Sequence, residues 1–149
     1  ISLNFRMSDI NASLGLSQLK KVNKFVKKRN QIAKIYNKRL NDLDMTLPIK
    51  FQKRLSSFHL YIVKVNKKLR NKLFDYLITN KIDVNMHYLP VHLHPFYKRY
   101  QFKSGDFKNA ENHALTAISL PIYPTLKLKD QLKVIKVIKN FFKKKWKFR

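Results

Sequence analysis

Cysteine is absent from the 149 residues, which excludes both a disulfide framework and a thiolate metal site. No apolar stretch approaches the about 18 residues that a membrane-spanning helix requires. The apolar runs are short and broken by lysine, and nothing resembles a secretory leader. A soluble, cytoplasmic domain is therefore expected. Acidic residues are also scarce, 8 against 33 basic ones, leaving a formal charge of +25. Glycine (2) and alanine (5) are few, whereas asparagine (13) and isoleucine (12) are many.

The charge has two readings. A strongly basic chain can hold nucleic acid or another polyanion, with affinity that falls steeply as salt rises. Yet 26 of the basic residues are lysine and only 7 are arginine. Arginine carries the donor fork suited to bases and phosphates. Excess Lys, Asn and Ile with little Gly and Ala is also what AT-rich codons favour, which makes the charge a solvated surface.

What is present is a core. The hydrophobic fraction is 44%, with eleven Phe and seven Tyr, and the length suits one domain. Ser8 followed by Asp9 is a helix start. Ile10, Leu14, Leu16, Leu19, Val22, Phe25 and Val26 then recur at helical spacing, continued by Ile32, Ile35, Tyr36 and Leu40. The pattern predicts one long helix over Asp9–Asp42, bent near Arg29–Gln31. Phe58–Val65 reads as a strand. A helix capped by Asn66 and stopped at Asn80 follows, with Leu69, Leu73 and Leu77 in line. Lys81–Leu89 alternates as a half-buried strand. Asn109–Ile118 is a short helix, "SLPIYP" an extended segment, and Thr125 caps a last helix with Leu128, Leu132, Ile135, Ile138 and Phe142 facing inward. The class is α+β, a small sheet with helices on one side.

Three stretches go beyond composition: "NFRMSDINASLGLSQLKK" from Asn4, "VNMHYLPVHLHPFY" from Val84, and "GDFKNAENHALTAISLPIYPTL" from Gly105. In this order, with the strand "HLYIVKV" between the first two, they resemble the C-terminal part of the DegT-type sugar aminotransferases. These are pyridoxal-phosphate enzymes of the aspartate-aminotransferase fold. Within that group the chain is most similar to the branch that aminates 4-keto-6-deoxy amino sugars on UDP, as in pseudaminic acid biosynthesis. Ser2 and Leu3 stand where relatives carry Gly-Tyr, Asn11 where they carry Gln, and Lys108 where they carry Pro.

The resemblance implies the small domain of that fold over residues 9–142. Residues 1–8 then close a large cofactor domain, and residues 143–149 form a frayed basic tail. It implies that Asn4 reaches across a homodimer to the pyridoxal-phosphate phosphate bound by the other subunit. It also implies that His87, Tyr88 and His92 line the sugar-nucleotide side of the cleft; the alternative for His87 and His92 is that they are partly buried loop residues satisfied by backbone groups. Arg6 either holds a substrate anion or pairs with Asp9. His87, His92 and His94 lack a zinc-like ligand pattern, so no metal is expected. Transamination needs a Schiff-base lysine. In the family it lies upstream, and none of the 26 lysines here stands in a matching context. The chain is accordingly expected to be a C-terminal fragment, inactive alone, of an enzyme moving an amino group from a donor such as glutamate to a UDP-linked keto sugar. A non-catalytic partner of a full-length aminotransferase is a further possibility, beside the basic polyanion-binding domain.

Overall fold

A computed structural model describes residues 6–49 and 54–144. Five helices and two strands follow one another: α1 (Asp9–Leu19), α2 (Val22–Leu40), β1 (Tyr61–Lys64), α3 (Lys67–Thr79), α4 (Lys108–Thr116), β2 (Ala117–Leu120) and α5 (Leu128–Lys143). Two short 3₁₀ turns, Val91–Leu93 and Pro95–Tyr100, lead from the middle of the chain toward α4. No helix is long and apolar enough to cross a membrane among the described residues.

The expected long first helix is two helices. The break falls at Lys20–Lys21, not near Arg29, because Lys21 N–H bonds back to the Gln18 carbonyl and tightens one turn. Ser8 caps α1 as read, its hydroxyl accepting from Asn11 N–H at 3.3 Å. Asn66 does the same for α3 through Lys68 N–H at 3.0 Å. The end of α3 is more specific than a bare Asn80 stop. Ile82 N–H bonds the Leu77 carbonyl and Lys81 N–H the Ile78 carbonyl, the pair that closes a Schellman turn. Lys81 takes the left-handed position, φ 58°, where glycine is usual.

β1 and β2 pair antiparallel, with Tyr61 opposite Leu120 and Lys64 opposite Ala117. Each outer edge is touched by one further residue, Thr46 against Lys64 and Asn85 against Ser119. The strand expected over Lys81–Leu89 therefore shrinks to a single bridge at Asn85. Its start is taken by the α3 cap, so only Ile82 and Val84 keep the alternating burial. The second strand instead comes from Ala117–Leu120, two residues of which were expected to end a helix. Its four side chains are all buried, and β-branched Ile118 suits a strand better than a helix end.

The core joins Ile32, Ala33, Tyr36 and Leu40 of α2 with Leu69, Leu73 and Leu77 of α3 and Val134, Ile135, Ile138 and Phe141 of α5. Tyr61, Val63, Ile118 and Leu120 contribute from the sheet. Each fully buried aliphatic side chain stabilises the fold by about 1.5–3 kcal/mol of transfer energy. Polar tips inside this layer have partners: Tyr36 O–H donates to the Pro121 carbonyl at 3.0 Å, Tyr61 O–H to Asn37 Oδ1, and Gln131 Nε2 to the Ile32 carbonyl at 2.8 Å. Burial raises the pKa of both phenols above their ordinary range, so they stay protonated donors. On α5 the inward residues are shifted from the expected set. Leu128 and Leu132 face solvent, Gln131 and Val134 face the core, and the helix begins after Lys127 with no side-chain cap from Thr125.

Candidate functional site

The third and second sequence motifs meet on one side of the sheet. Arg70 of α3, Met86–Pro90, Leu93, Ser104 and the α4 residues Glu111, Ala114 and Leu115 line a cleft of about 340 Å³. A larger hollow of about 740 Å³ runs along α2 past Asn23, Asn30 and Phe58. Among the described residues its ionisable linings are Lys27 and Lys34 alone, so it offers less chemistry than the smaller cleft.

His87 projects from the segment that bridges β2. Its Nδ1 is hydrogen-bonded to Ser119 Oγ at 2.7 Å, and Ser119 is itself buried in the strand. That contact fixes the ring from behind and leaves Nε2 as its remaining polar atom. The Tyr88 ring stands edge-on to His87 at 4.5 Å and is 74% accessible.

His92 sits differently. It is only 7% exposed, its Nε2 lies 3.0 Å from Glu111 Oε1, and its ring packs on Phe107 at 4.7 Å. Glu111 is a collecting point. Besides His92 it accepts from Gly105 N–H at 2.8 Å, Phe107 N–H at 3.3 Å and Ser104 O–H at 3.2 Å. The backbone bond from Gly105, with help from His92, Phe107 and Ser104, holds its carboxyl pKa below the ordinary glutamate value, against a smaller opposing effect of desolvation. Gly105 has φ +100°, a conformation open to glycine, and this aims its N–H at the carboxylate. The turn at Ser104–Asp106 and the wall at His92 are thus tied to one side chain. Arg70 braces the same wall: its guanidinium donates to the Ala114 and Leu115 carbonyls at 3.1 and 3.3 Å and to Met86 Sδ. These carbonyls end α4, where a cation is favoured.

Of the residues singled out in the sequence, the structure brings His87 and Tyr88 into the cleft, and His92 behind it through Glu111. His94 turns away and donates to the Leu89 carbonyl at 3.1 Å. Arg6 is exposed ahead of α1, outside the cleft lining, and among the described residues no ion pair joins it to Asp9. Asn4 lies outside the described residues. Arg70, Glu111 and Ser119 were not anticipated. Glu111 had a signal, being the single glutamate in a chain of 33 basic residues. Ser119 is one hydroxyl inside the apolar run "AISLP", and Arg70 carries no signal that separates it from its basic neighbours.

The cleft does not by itself suit an aldehyde cofactor that must be anchored as an imine. Among the described residues no lysine lines it, and the one carboxylate there is engaged by four donor groups, so none is free to face a pyridine nitrogen. Its tips suit hydroxyl and carbonyl groups of a polar ligand.

Known proteins share this sequence pattern and fold. Residues 1–139 match the DegT/DnrJ/EryC1/StrS aminotransferase family. A Campylobacter jejuni UDP-4-amino-4,6-dideoxy-N-acetyl-beta-L-altrosamine transaminase is 34% identical over 137 residues, covering 87% of this chain and 35% of the relative. The Helicobacter pylori aminotransferase PseC, involved in the biosynthesis of pseudoaminic acid, superposes with a TM-score of 0.85 at 29% identity, over 96% of this chain and 39% of that one. A putative sugar aminotransferase of Streptococcus pneumoniae in its PLP form gives 0.86 at 28% identity, over 93% and 36%. The chain therefore spans little more than a third of the length of these relatives. It belongs to the DegT/DnrJ/EryC1/StrS aminotransferase family.

Proposed function

We propose that the chain supplies the substrate-facing wall of a pyridoxal-phosphate-dependent aminotransferase acting in the cytoplasm. The substrate is a 4-keto-6-deoxy amino sugar on UDP, the donor an amino acid such as glutamate, and the product a precursor of surface glycan. The observation that carries this reading is the cleft itself: His87, anchored from behind by Ser119, presents a hydrogen-bonding tip beside Tyr88 where a sugar hydroxyl can be met. His92 supports that wall through Glu111. The likeness to the Campylobacter transaminase supports the choice of sugar nucleotide.

The cofactor supplies the electron sink of the reaction when bound. In this reading it is held by another part of the enzyme, since the described cleft lacks the lysine. Asn4 reaches the cofactor phosphate of a second subunit, an amide donor that adds no charge, and Arg6 stands ready for a substrate anion. The active assembly is then a homodimer, and the 149-residue chain alone does not transaminate.

The test is to incubate the full-length protein with pyridoxal phosphate, glutamate and a UDP-linked 4-keto-6-deoxy-N-acetylhexosamine. Mass spectrometry is expected to find the 4-amino sugar together with 2-oxoglutarate in equal amounts. Unchanged keto sugar, with the cofactor demonstrably bound, would overturn the reading.

A further inference from the structure

The contact behind His87 has a direction, and the surroundings of Ser119 give it. Ser119 is the third residue of β2 and only 6% exposed. Its backbone is bridged to Asn85: Ser119 N–H donates to the Asn85 carbonyl at 2.8 Å, and Asn85 N–H to the Ser119 carbonyl at 3.4 Å. That bridge brings His87, two residues further on, to the serine hydroxyl, with Nδ1 and Oγ 2.7 Å apart. Among the described residues Oγ has no partner besides His87. The flanking side chains, Ile118 and Leu120, are buried hydrocarbon and offer no acceptor.

For a neutral ring, two arrangements of the hydrogens fit this distance. In one, Nδ1–H donates to Oγ, which leaves the hydroxyl hydrogen of Ser119 buried with no acceptor. Such unpaired donors are rare, because they lose their hydration and gain no bond in return. In the other, Ser119 O–H donates to a bare Nδ1, and the buried hydroxyl is satisfied. A neutral imidazole with Nδ1 bare carries its proton on Nε2.

We infer that Ser119 is a positioning residue for the cleft: its hydroxyl holds His87 in the Nε2–H tautomer, so the wall presents a fixed hydrogen-bond donor. The other charged groups of the lining are engaged elsewhere. The Arg70 guanidinium bonds the Ala114 and Leu115 carbonyls, and Glu111 is held by its own donors. A donor meets an oxygen lone pair, as on a carbonyl or hydroxyl, and has nothing to meet on an ammonium group. The wall therefore suits a keto sugar better than one bearing an ammonium at the contacted position. The ligand side of this inference deepens the sugar-nucleotide reading and rests on it; the tautomer rests on the geometry alone.

The experiment records the histidine ring signals of the full-length protein labelled with nitrogen-15, without substrate, and assigns His87 by its loss in His87→Asn. The wild type is expected to show Nδ1 as the bare nitrogen and Nε2 as the protonated one. Ser119→Ala is expected to populate both tautomers. Ser119→Thr keeps the hydroxyl on a side chain that suits a strand, and is expected to restore the single tautomer. Amination follows the same order: kcat/KM falls about fivefold in Ser119→Ala, chiefly through KM, and recovers in Ser119→Thr. A protonated Nδ1 in the wild type overturns the inference whether or not the variants fold. An unchanged Nε2–H tautomer in folded Ser119→Ala does the same. Failure of the two proposals stays separable. If the tautomer follows Ser119 while the wild type aminates nothing, the positioning role stands and the reaction falls. If amination proceeds while wild-type His87 carries its proton on Nδ1, the reaction stands and the positioning role falls.

Discussion

Helices α1 and α5 make an instructive pair. Both are rich in large aliphatic residues, yet α5 buries six side chains and α1 buries none. Ile10, Leu14, Leu16 and Leu19 of α1 are 82, 58, 64 and 65% exposed. At about 3.6 residues per turn, Ile10 and Leu14 share one flank of α1 while Leu16 and Leu19 point to the other side. On α5, Val134, Ile135, Ile138 and Phe141 share a single face. A one-sided stripe builds a core within this chain. A helix apolar on two sides calls for two neighbours, and among the described residues nothing covers it. The amount of apolar surface is similar; its arrangement decides whether the helix is part of the domain's own core.

That contrast can be broken by substitution. Phe141→Ala removes a fully buried ring between Tyr76 and Phe142 and is expected to cost about 3–5 kcal/mol in denaturant unfolding. A loss below about 1 kcal/mol would remove the distinction between the two helices. Next in size is Tyr36→Phe, which leaves the ring in place but deprives the Pro121 carbonyl of its donor, for about 1 kcal/mol in the same assay.

Smaller and local is the response at Glu111. Its folded pKa lies below the unfolded value, so the carboxylate's contribution is complete above the unfolded pKa and is lost as pH falls through the folded one. Protection of the Gly105 and Phe107 amides against hydrogen exchange, taken relative to the intrinsic rate at each pH, should therefore fall on acidification below the usual glutamate range, while amides of β2 stay protected. Glu111→Gln should exchange fast at those two amides even at neutral pH. Uniform behaviour across both regions would contradict the assignment. The least effect is expected from Leu16→Ser on α1, within about 0.5 kcal/mol for the 149-residue chain. A substantially larger cost would mean that α1 is packed after all.

The sequence disclosed most of the core because helical spacing and buried aliphatics coincide in α2, α3 and α5. It was weaker wherever tertiary pairing overrides local pattern. Ala117 and Ile118 continue a helical run but are drawn into β2 by pairing with Lys64 and Val63. The alternation at Lys81–Leu89 is genuine for two residues, but the α3 cap occupies its beginning. At the site, His87 and Tyr88 stood out through their motif. Their supports did not, because Ser119 and Arg70 act through contacts made across the fold, at separations in sequence of 32 and 16 residues from their partners His87 and Met86.

The central claim is that this chain contributes the sugar-facing wall of an aminotransferase cleft, with His87 as its fixed contact. The most direct measurement is steady-state amination of the UDP-linked keto sugar by the full-length protein carrying His87→Ala, beside the wild type. A fall in kcat/KM of at least about tenfold, with the melting temperature unchanged, is the predicted result, the loss of one hydrogen bond to substrate. Equal kcat/KM in the two proteins would contradict the account.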